Sequence, residues 1–308
     1  MNAPGTHASQ RPLRALVLRA GSAIAFATMM ALTKYGGQNG VSVPELMFWC
    51  QFLSVPVLLV YLSATGGVHR LRSRRRGRHI VRGSLGTFNT FLNFTATIML
   101  PLAVMSTLTF TTPLFAVVLA AVVLREHIGP YRWAAVVMGF LGTLIIAQPS
   151  GNHEPLPMLG LAMGLLVAFL NAVITLQVRD LGRTEETISM VFWFALLGSV
   201  LTAPALIFSS APHPPWIWFV IFMTGVMWLL GQMLMAASLR HGSVALVVVM
   251  DYTLLIWATI WGWVLWDKLP PGSTYLGAPL IVAAGLTIAW RERRRSGVSA
   301  EPVDAPAS

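Results

Sequence analysis

The sequence predicts an all-α polytopic membrane protein whose ten transmembrane helices form two inverted five-helix repeats. Three observations lead to this prediction: the apolar composition, the spacing of the apolar runs and the placement of the arginines. Of the 308 residues, 56% are hydrophobic and only 10% are charged, whereas soluble domains carry about 25% charged residues. A chain with so few charges cannot cover itself with a hydrated surface, which excludes a soluble multidomain protein.

Ten apolar runs follow one another, separated by polar or Gly- and Pro-rich connections. A helix of about 20 apolar residues matches the roughly 30 Å hydrocarbon core of a bilayer. Open strands would leave backbone groups unpaired in lipid, so these runs are predicted to be helices. In chain order, the predicted spans are Leu13–Thr33, Leu46–Thr65, Gly83–Leu100, Leu102–Leu124, Trp133–Ala147, Met158–Val178, Ile188–Phe208, Trp216–Leu239, Val244–Trp266 and Tyr275–Trp290.

The arginines determine the predicted orientation. Two of the 21 basic residues are lysines, Lys34 and Lys268, and the other 19 are arginines that all fall on one side of the predicted spans. Positive residues mark cytoplasmic connections, so both termini are predicted to be cytoplasmic, in a bacterial inner membrane. Arg19 lies within the first span and is expected to extend its side chain toward the interface. The dense run at 70–82 is interpreted as a topology anchor near anionic lipid headgroups, not as a nucleic-acid site.

The two halves have a similar layout. An offset of 141 residues aligns 102–128 with 243–269, and four of 27 positions are identical, including Thr112 and Thr253. In each segment a long apolar helix ends at an acidic residue, Glu126 or Asp267, which is expected to cap the helix or anchor the turn. Five spans is an odd number, so the second half must run inverted through the membrane, a common arrangement in secondary transporters.

These boundaries divide the chain into four predicted parts. A cytoplasmic tail at 1–12 precedes the first repeat at 13–150, and the second repeat at 151–293 precedes a tail at 294–308. The last tail is small, polar and contains proline, so it is predicted to be disordered.

Short stretches in both halves carry a family resemblance. They are Pro101-Leu102-Ala103, Thr111-Thr112-Pro113-Leu114-Phe115, Arg125-Glu126-His127-Ile128-Gly129, Arg132-Trp133, Gly139-Phe140-Leu141-Gly142, Val178 through Glu185, Asp251-Tyr252-Thr253, Gly262-Trp263 and Gly277 through Gly285. Together they resemble the drug/metabolite transporter superfamily, specifically its ten-helix EamA-type members, over roughly residues 13–293. The resemblance implies transport of a small organic metabolite: similar members are assigned to riboflavin or S-adenosylmethionine uptake, and others export amino acids and derivatives.

The chain departs from that pattern in two places. Relatives often carry an arginine after an aromatic residue in the second helix, where this chain reads Phe48-Trp49-Cys50-Gln51. The proline expected in the second half opposite Pro113 is Leu254 here.

Asp251 is the sharpest candidate for a functional group. It is the eighth residue of its predicted span, about 12 Å below the cytoplasmic edge, where an ionised carboxylate costs about 2.5–3.5 kcal/mol. No lysine or arginine follows or precedes it closely on the same helix. We therefore expect either a protonated carboxyl or a carboxylate that faces water, and both suit proton coupling or binding of a cationic group. The alternative is a hydrogen-bonded aspartate that fixes helix packing.

The other candidates are polar and aromatic residues on single helix faces. Three of them share a face of the third span and are expected to line a cavity, whereas those on the sixth and eighth spans also fit helix packing. Aromatic members are of the kind that stack on planar substrates. The full set of predicted substrate-binding or coupling residues is Asp251, Tyr252, Asn89, Asn93, Thr97, Asn171, Trp228 and Gln232.

The predicted function is secondary active transport of a small organic metabolite: an amino acid or derivative, a vitamin or a nucleoside-like compound. Coupling to protons or exchange is expected, with alternating access between the two halves and export slightly favoured over uptake. No cofactor, metal or nucleic acid is predicted as a partner, and the oligomeric state is left open, a homodimer included. The alternatives are an integral-membrane enzyme acting on lipid-linked substrates and a passive channel or facilitator. An enzyme would need a cluster of acids and histidines, which the sequence does not offer.

Overall fold

The computed structural model describes residues 12–73, 75–123, 125, 129–147, 156–181, 184–241 and 250–298. In these residues the chain forms helices and contains no β-strand. The helices are α1 (Pro12–Gln38), α2 (Val43–Phe52), α3 (Ser54–Ala64), α4 (Arg76–Met99), α5 (Leu102–Thr109), α6 (Thr112–Val122), α7 (Pro130–Ala147), α8 (Met158–Leu181), α9 (Thr187–Ser209), α10 (Pro215–His241), α11 (Thr253–Trp266) and α12 (Gly272–Val298). A short 3-10 turn, Val68–Leu71, follows α3.

Seven helical stretches in the described part of the chain are long and apolar enough to cross a membrane, judged by length and composition. They are Leu13–Gln38, Val43–Ala64, Leu102–Val122, Pro130–Ala147, Met158–Val178, Ile188–Ser209 and Pro215–Met235. Two shorter apolar helices are Thr253–Trp266 and Gly272–Ile288. Helix α4 has 24 residues, which span about 36 Å, but its arginines, asparagines and threonines lower its hydropathy. The chain is thus an all-helical, multi-pass membrane protein.

Each predicted span overlaps one or two of these helices, and the bounds differ mainly at the ends. Helix α1 continues five residues past its predicted end to Gln38, and α10 continues to His241. Helix α12 continues to Val298, into the tail that was predicted to be disordered from residue 294; arginine is a good helix former, so the helix can outlast the apolar run. The start of the ninth predicted span, Glu126 and residues 299–308 lie outside the described residues.

Two predicted spans are each divided into two helices. The second span consists of α2 and α3, which meet at Leu53, and the fourth consists of α5 and α6, which meet at Phe110 and Thr111. Pro56 and Pro113 lie in the first turn after these breaks, as expected because proline lacks the N–H group that would bond four residues back. By contrast, Pro204 and Pro279 lie inside the continuous helices α9 and α12.

The most extensive helix contacts join the first five predicted spans to the last five, although α1 also packs against α4 of the same group. Helix α1 packs against α10 and α11, α7 packs against α12, and α2 packs against α9 and α10. Helix α4 packs against α8 and α9, while α5 and α6 both pack against α8 and α5 also packs against α11. Large apolar side chains cover the outside, such as Phe208 at 90% exposure, which is the surface a bilayer would solvate.

The contact between α7 and α12 depends on two glycines. A Cβ atom placed on Gly142 would lie 2.7 Å from the backbone oxygen of Gly277, and one on Gly277 would lie 2.4 Å from the backbone oxygen of Gly142. Backbone atoms cannot rotate away from such a clash. The two helices therefore approach closely only because both positions lack a side chain, which is a common device in membrane bundles.

We expect Gly142→Ala to separate α7 from α12 and to destabilise the protein by about 1–3 kcal/mol, as overpacking of a tight core does. The measurement is the apparent unfolding temperature of the purified protein in detergent. Gly77→Ala is the matched control, because a Cβ at Gly77 meets no atom within 4 Å. Equal unfolding temperatures for the two variants would contradict this account of the contact.

Candidate functional site

Asp251 forms an ion pair with Arg19 of α1. The Arg19 Nη2 atom donates to Asp251 Oδ2 at 2.6 Å, and Nε donates to Oδ1, so the contact is bidentate. The side chains are 13% and 36% exposed, respectively. The sequence left three interpretations of Asp251 open: a protonated carboxyl, a carboxylate that faces water, or a hydrogen-bonded aspartate that fixes helix packing. None of them named Arg19 as the partner. The side chain of Arg19 reaches another helix instead of the interface because a bidentate carboxylate is a stronger partner than water for a half-buried guanidinium.

The ion pair lies beside a break in the helix. Met250 and Asp251 are helical, Tyr252 forms a turn, and α11 begins at Thr253. The Thr253 hydroxyl donates to the carbonyl of Met250 at 2.7 Å, so a side chain satisfies a backbone acceptor near the break. The break occurs without a proline: Leu254 stands at the position where a proline is expected from the family resemblance.

The break between α5 and α6 has the same construction. Thr112 begins α6, and its hydroxyl donates to the carbonyl of Thr109 at 2.7 Å. Thr112 and Thr253 are the residues that the 141-residue offset pairs, so both breaks fall at the same position of the two halves. The breaks also touch each other, because the rings of Phe110 and Tyr252 pack edge to face with their centroids 4.9 Å apart.

Tyr252 reaches across to α12. Its hydroxyl oxygen would lie 2.1 Å from a Cβ atom on Gly285, so only glycine leaves room for it. The side chain is half-buried. Tyr252 therefore connects the broken helix α11 to α5 on one side and α12 on the other, and a ligand in contact with Asp251 would also be near this ring.

The predicted polar face of α4 points into the bundle. Asn89 Nδ2 donates to Asn171 Oδ1 of α8 at 2.8 Å, so these two candidate residues lie together. Thr97 is 1% exposed. In the described residues, neither the Thr97 hydroxyl nor the side-chain amide oxygen of Asn89 has a hydrogen-bond partner. Asn93 lies between them on the same face and is half-buried. Unpaired buried polar atoms are costly, so this face is suited to receive water or a polar ligand.

Trp228 joins this face through a residue that the sequence did not single out. Trp228 is 6% exposed, and its ring centroid lies 5.9 Å from that of Phe194 on α9. Phe194 in turn covers Gly86 of α4, where a Cβ would lie 2.7 Å from the ring. Gln232, one turn after Trp228, is half-buried. The predicted residues thus form two groups, one around Asp251 and one around α4. In the described residues, no hydrogen bond or ring contact connects the two groups.

Gln51 is a further polar group that sequence reasoning missed. It is 1% exposed, and neither its Oε1 nor its Nε2 has a partner in the described residues. Its amide lies against Gly198 of α9, where a Cβ would lie 1.5 Å from Oε1. The signal was present in the sequence, because position 51 ends the aromatic stretch in which the resembling family often carries an arginine.

A groove opens between α2, α4 and α9 on the side of the bundle. It has a volume of about 370 Å³ and is lined by Pro44, Met47, Ser84, Thr87, Phe88, Phe91, Leu201, Thr202 and Ala205. Phe88 and Leu201 are each 50% exposed, so the groove faces the surface that lipid would cover. None of the eight predicted residues lines it.

A polar network joins the two halves on the predicted cytoplasmic side. Ser73 donates to Glu185 Oε1 at 2.7 Å, and Arg78 donates to Asp180 Oδ2 at 2.6 Å. Longer ion pairs are Arg75–Asp180 at 3.3 Å and Arg70–Glu186 at 3.7 Å, and His79 lies 3.8 Å from Glu185. Three arginines of the predicted topology anchor therefore have carboxylate partners at the end of α8 or on the connection to α9.

His79 lies at the inner edge of this network, four residues before the predicted span begins. Its side chain is 2% exposed. Burial lowers the pKa of His79 below its ordinary value of 6.5, although the nearby Glu185 carboxylate opposes the change. The ring is therefore neutral near pH 7, and the contact with Glu185 is between a carboxylate and an uncharged imidazole.

A second network joins the halves at the opposite end. The Glu45 side chain is fully buried at the start of α2 and contacts His213 Nε2 at 3.0 Å and the hydroxyl of Ser210 at 3.4 Å, both in the connection after α9. Nearby, Lys34 of α1 donates to the carbonyls of Leu100 at 2.5 Å and Ile98 at 3.1 Å. These carbonyls end α4, so Lys34 caps that helix and complements its dipole.

The described residues contain no group of three or more His, Cys, Asp or Glu side chains that could hold a metal ion. The chemistry of the site is that of ion pairs, amides, hydroxyls and aromatic rings. Such groups can hold an organic ligand by hydrogen bonds, charge and ring stacking.

Comparison with protein families gives a match over most of the chain. The model described as the EamA-like transporter family matches residues 13–148 and 158–290. A chain in a solved crystal structure is similar in fold, with a TM-score of 0.58 and 21% identity over 92% of this chain and 96% of that one.

Three similar curated proteins come from bacteria. A riboflavin transporter of Vibrio cholerae is 28% identical over 292 residues, which cover 92% of this chain and 96% of that protein. The pseudopaline exporter CntI of Pseudomonas aeruginosa is 27% identical over 85% of this chain and 91% of its own. An S-adenosylmethionine uptake transporter of Rickettsia bellii is 26% identical over 85% of this chain and 89% of its own.

The Arg19–Asp251 pair generates a prediction about stability. We expect Asp251→Asn and Arg19→Met each to lower the unfolding temperature, because each leaves one half-buried charge unpaired. The free-energy loss should lie between the roughly 1 kcal/mol of an exposed pair and the roughly 3–5 kcal/mol of a buried one.

The test is a double-mutant cycle measured by thermal unfolding of the four proteins in one detergent. The double variant, which has no unpaired charge, should be more stable than the sum of the single losses predicts. Strictly additive losses would show that the two side chains do not interact.

Proposed function

The chain belongs to the EamA-like transporter family, and from this membership we propose that it is a secondary transporter that works by alternating access. The family and the curated relatives make it a transporter of a small metabolite and not an enzyme. The observation that carries the mechanism is the meeting of two broken helices, at Phe110 and Tyr252, in contact with each other. Broken helices that meet between two halves are the usual place of a transporter's substrate site.

The contacts between helices support two related, inverted halves at 13–150 and 151–293. When the spans of each half are numbered from one to five, the first span of each half packs against the third and fourth spans of the other half. The second span of each half packs against the second and third of the other, and the fourth and fifth spans pack against their own counterparts. Exchanging the halves leaves this pattern unchanged. The two separate matches of one family model are in keeping with a duplication.

The two polar networks fit gates at the two ends. One links Ser73 to Glu185 and the other links Glu45 to His213, and each joins a residue of the first half to one of the second. In alternating access, one network opens while the other stays closed. The ligand between them is then exposed to one side at a time, with both chain termini in the cytoplasm.

Asp251 is the proposed coupling group. Its carboxylate is held by Arg19 in the described state, and either a proton or a cationic group of the substrate would compete with that guanidinium. Release of Arg19 would remove one of the contacts that hold α1 against the span of Asp251 and thereby link binding to the movement of the halves. The substrate is a small organic metabolite such as an amino acid derivative, a vitamin or a nucleoside-like compound, and export is favoured over uptake.

We expect Asp251→Asn to reduce transport by about tenfold or more, the effect of losing one charged hydrogen bond. The measurement is untargeted mass spectrometry of cells and medium after expression in a bacterial host. Asp267→Asn is the matched control, because Asp267 is an exposed C-terminal cap of the same helix in a left-handed conformation that asparagine also adopts. Equal transport by Asp251→Asn and the wild type would assign Asp251 a structural role only. Flux that neither saturates nor concentrates would indicate a passive channel.

A cross-link between the halves should stop transport. The Ser73 hydroxyl and the Glu185 carboxylate are 2.7 Å apart, so cysteines at both positions should react with a short thiol cross-linker. The native Cys50 is 1% exposed and should not react. We expect the double-cysteine variant to lose transport on cross-linking and each single-cysteine variant to keep it. Unchanged transport after complete cross-linking would contradict alternating access at this gate.

A further inference from the structure

The polar face of α4 extends further toward the predicted cytoplasmic side than its candidate residues suggested. At 100° per residue, six positions of α4 fall within about 80° of arc around the helix axis and form one stripe along it. The members of this α4 stripe are His79, Arg82, Gly86, Asn89, Asn93 and Thr97. The stripe contains amides, a hydroxyl, an imidazole and a guanidinium, but no carboxylate.

Arg82 differs from three other arginines of the run at 70–82. Arg70, Arg75 and Arg78 each have a carboxylate partner. Arg82 donates one hydrogen bond, from Nη1 to the carbonyl of Met190 at 3.1 Å. In the described residues it forms no ion pair, and its Nε is buried without a hydrogen-bond partner.

The guanidinium of Arg82 lies on an aromatic ring. Its carbon is 5.3 Å from the centroid of Phe194, the residue that connects Trp228 to the α4 stripe. A cation–π contact accounts for part of the cost of removing the guanidinium from water, but it leaves N–H donors available. Glu185 is the acidic residue nearest this end of the stripe; it contacts His79 and accepts the Ser73 hydrogen bond.

The other end of the stripe is also positive. Lys34 is 8% exposed and is held by the carbonyls of Ile98 and Leu100, beside Thr97. Between the two cations, Thr97 and Asn89 each have a buried polar atom without a partner in the described residues. Lys34 is buried and Arg82 is half-buried, and a cation held away from water without a counter-charge is unfavourable, unless a ligand supplies the negative charge. The charge along α4 is therefore complementary to an organic anion.

We propose that Arg82 binds the anionic group, a carboxylate or a phosphate, of the transported metabolite at the inner end of the α4 stripe. This inference rests on the proposed transport function and adds the substrate's charge to it. The planar guanidinium matches both anions by paired hydrogen bonds. The uncharged part of the substrate then lies along the amides of Asn89 and Asn93, beside the rings of Phe194 and Trp228.

The test compares the wild type with Arg82→Gln, Arg82→Lys and Arg76→Gln. Arg76 is exposed, lies on the same helix and carries the same charge, so its substitution is the matched control. Cells grown in complex medium offer substrates for uptake and for export, and mass spectrometry identifies each compound that moves. The identity of the compound also distinguishes a carboxylate from a phosphate.

We expect every compound that the wild type moves to carry a carboxylate or a phosphate. Transport should fall about 10- to 100-fold in Arg82→Gln, as for a lost charged hydrogen bond. Arg82→Lys should keep part of the activity, and Arg76→Gln should transport as the wild type does. Apparent unfolding temperatures of the four purified proteins separate this effect from misfolding, and if Arg82→Gln does not fold, Arg82→Lys and the charge of the moved compounds decide the question.

Movement of compounds without an anionic group would overturn the inference while leaving the transport function intact, as would full transport by Arg82→Gln. Movement of no compound by any variant would contradict the transport function and the inference together.

Discussion

A charge inside an apolar helical bundle must find a partner, and Asp251 finds one in Arg19, 232 residues away in the chain. The contact is bidentate and ties the first helix of the first half to the fourth span of the second. Because the desolvation of either charge alone is costly, the pair determines how α1 and the start of α11 lie against each other. It also places a charged contact beside a helix break.

The helix breaks follow from a second backbone requirement. A transmembrane helix that is interrupted must satisfy its freed carbonyls internally, and Thr112 and Thr253 each do so with a hydroxyl at 2.7 Å. Pro113 assists the first break, whereas the second has Leu254 in its place and still forms. A threonine at the start of the second helix, and not a proline, is thus common to both breaks. Since Phe110 and Tyr252 pack together, these two helix breaks lie at one shared place.

Some site residues could be predicted because their signal is local. Asn89, Asn93 and Thr97 repeat at helical spacing, and an aspartate in an apolar run is conspicuous without any partner. Phe194, Gln51 and Arg82 could not be found in this way. A phenylalanine in an apolar helix looks like lipid-facing surface, and Arg82 looks like its neighbours in a run of arginines. Arg78 and Arg82 lie only about 40° apart around α4, and it is the position of Arg82 one turn further along the helix that places it against Met190 and Phe194 while Arg78 pairs with Asp180.

The sequence by itself determined the helical, membrane-embedded character of the chain, the order of the apolar helices and the polar face of α4. These properties depend on composition and on a period of 3.6 residues, both of which are local. The tertiary structure alone decided that Arg19 meets Asp251, that the two helix breaks touch and that Ser73 and Glu45 each contact the other half. Such pairings depend on the depth, rotation and crossing of helices far apart in the chain, which no local pattern encodes.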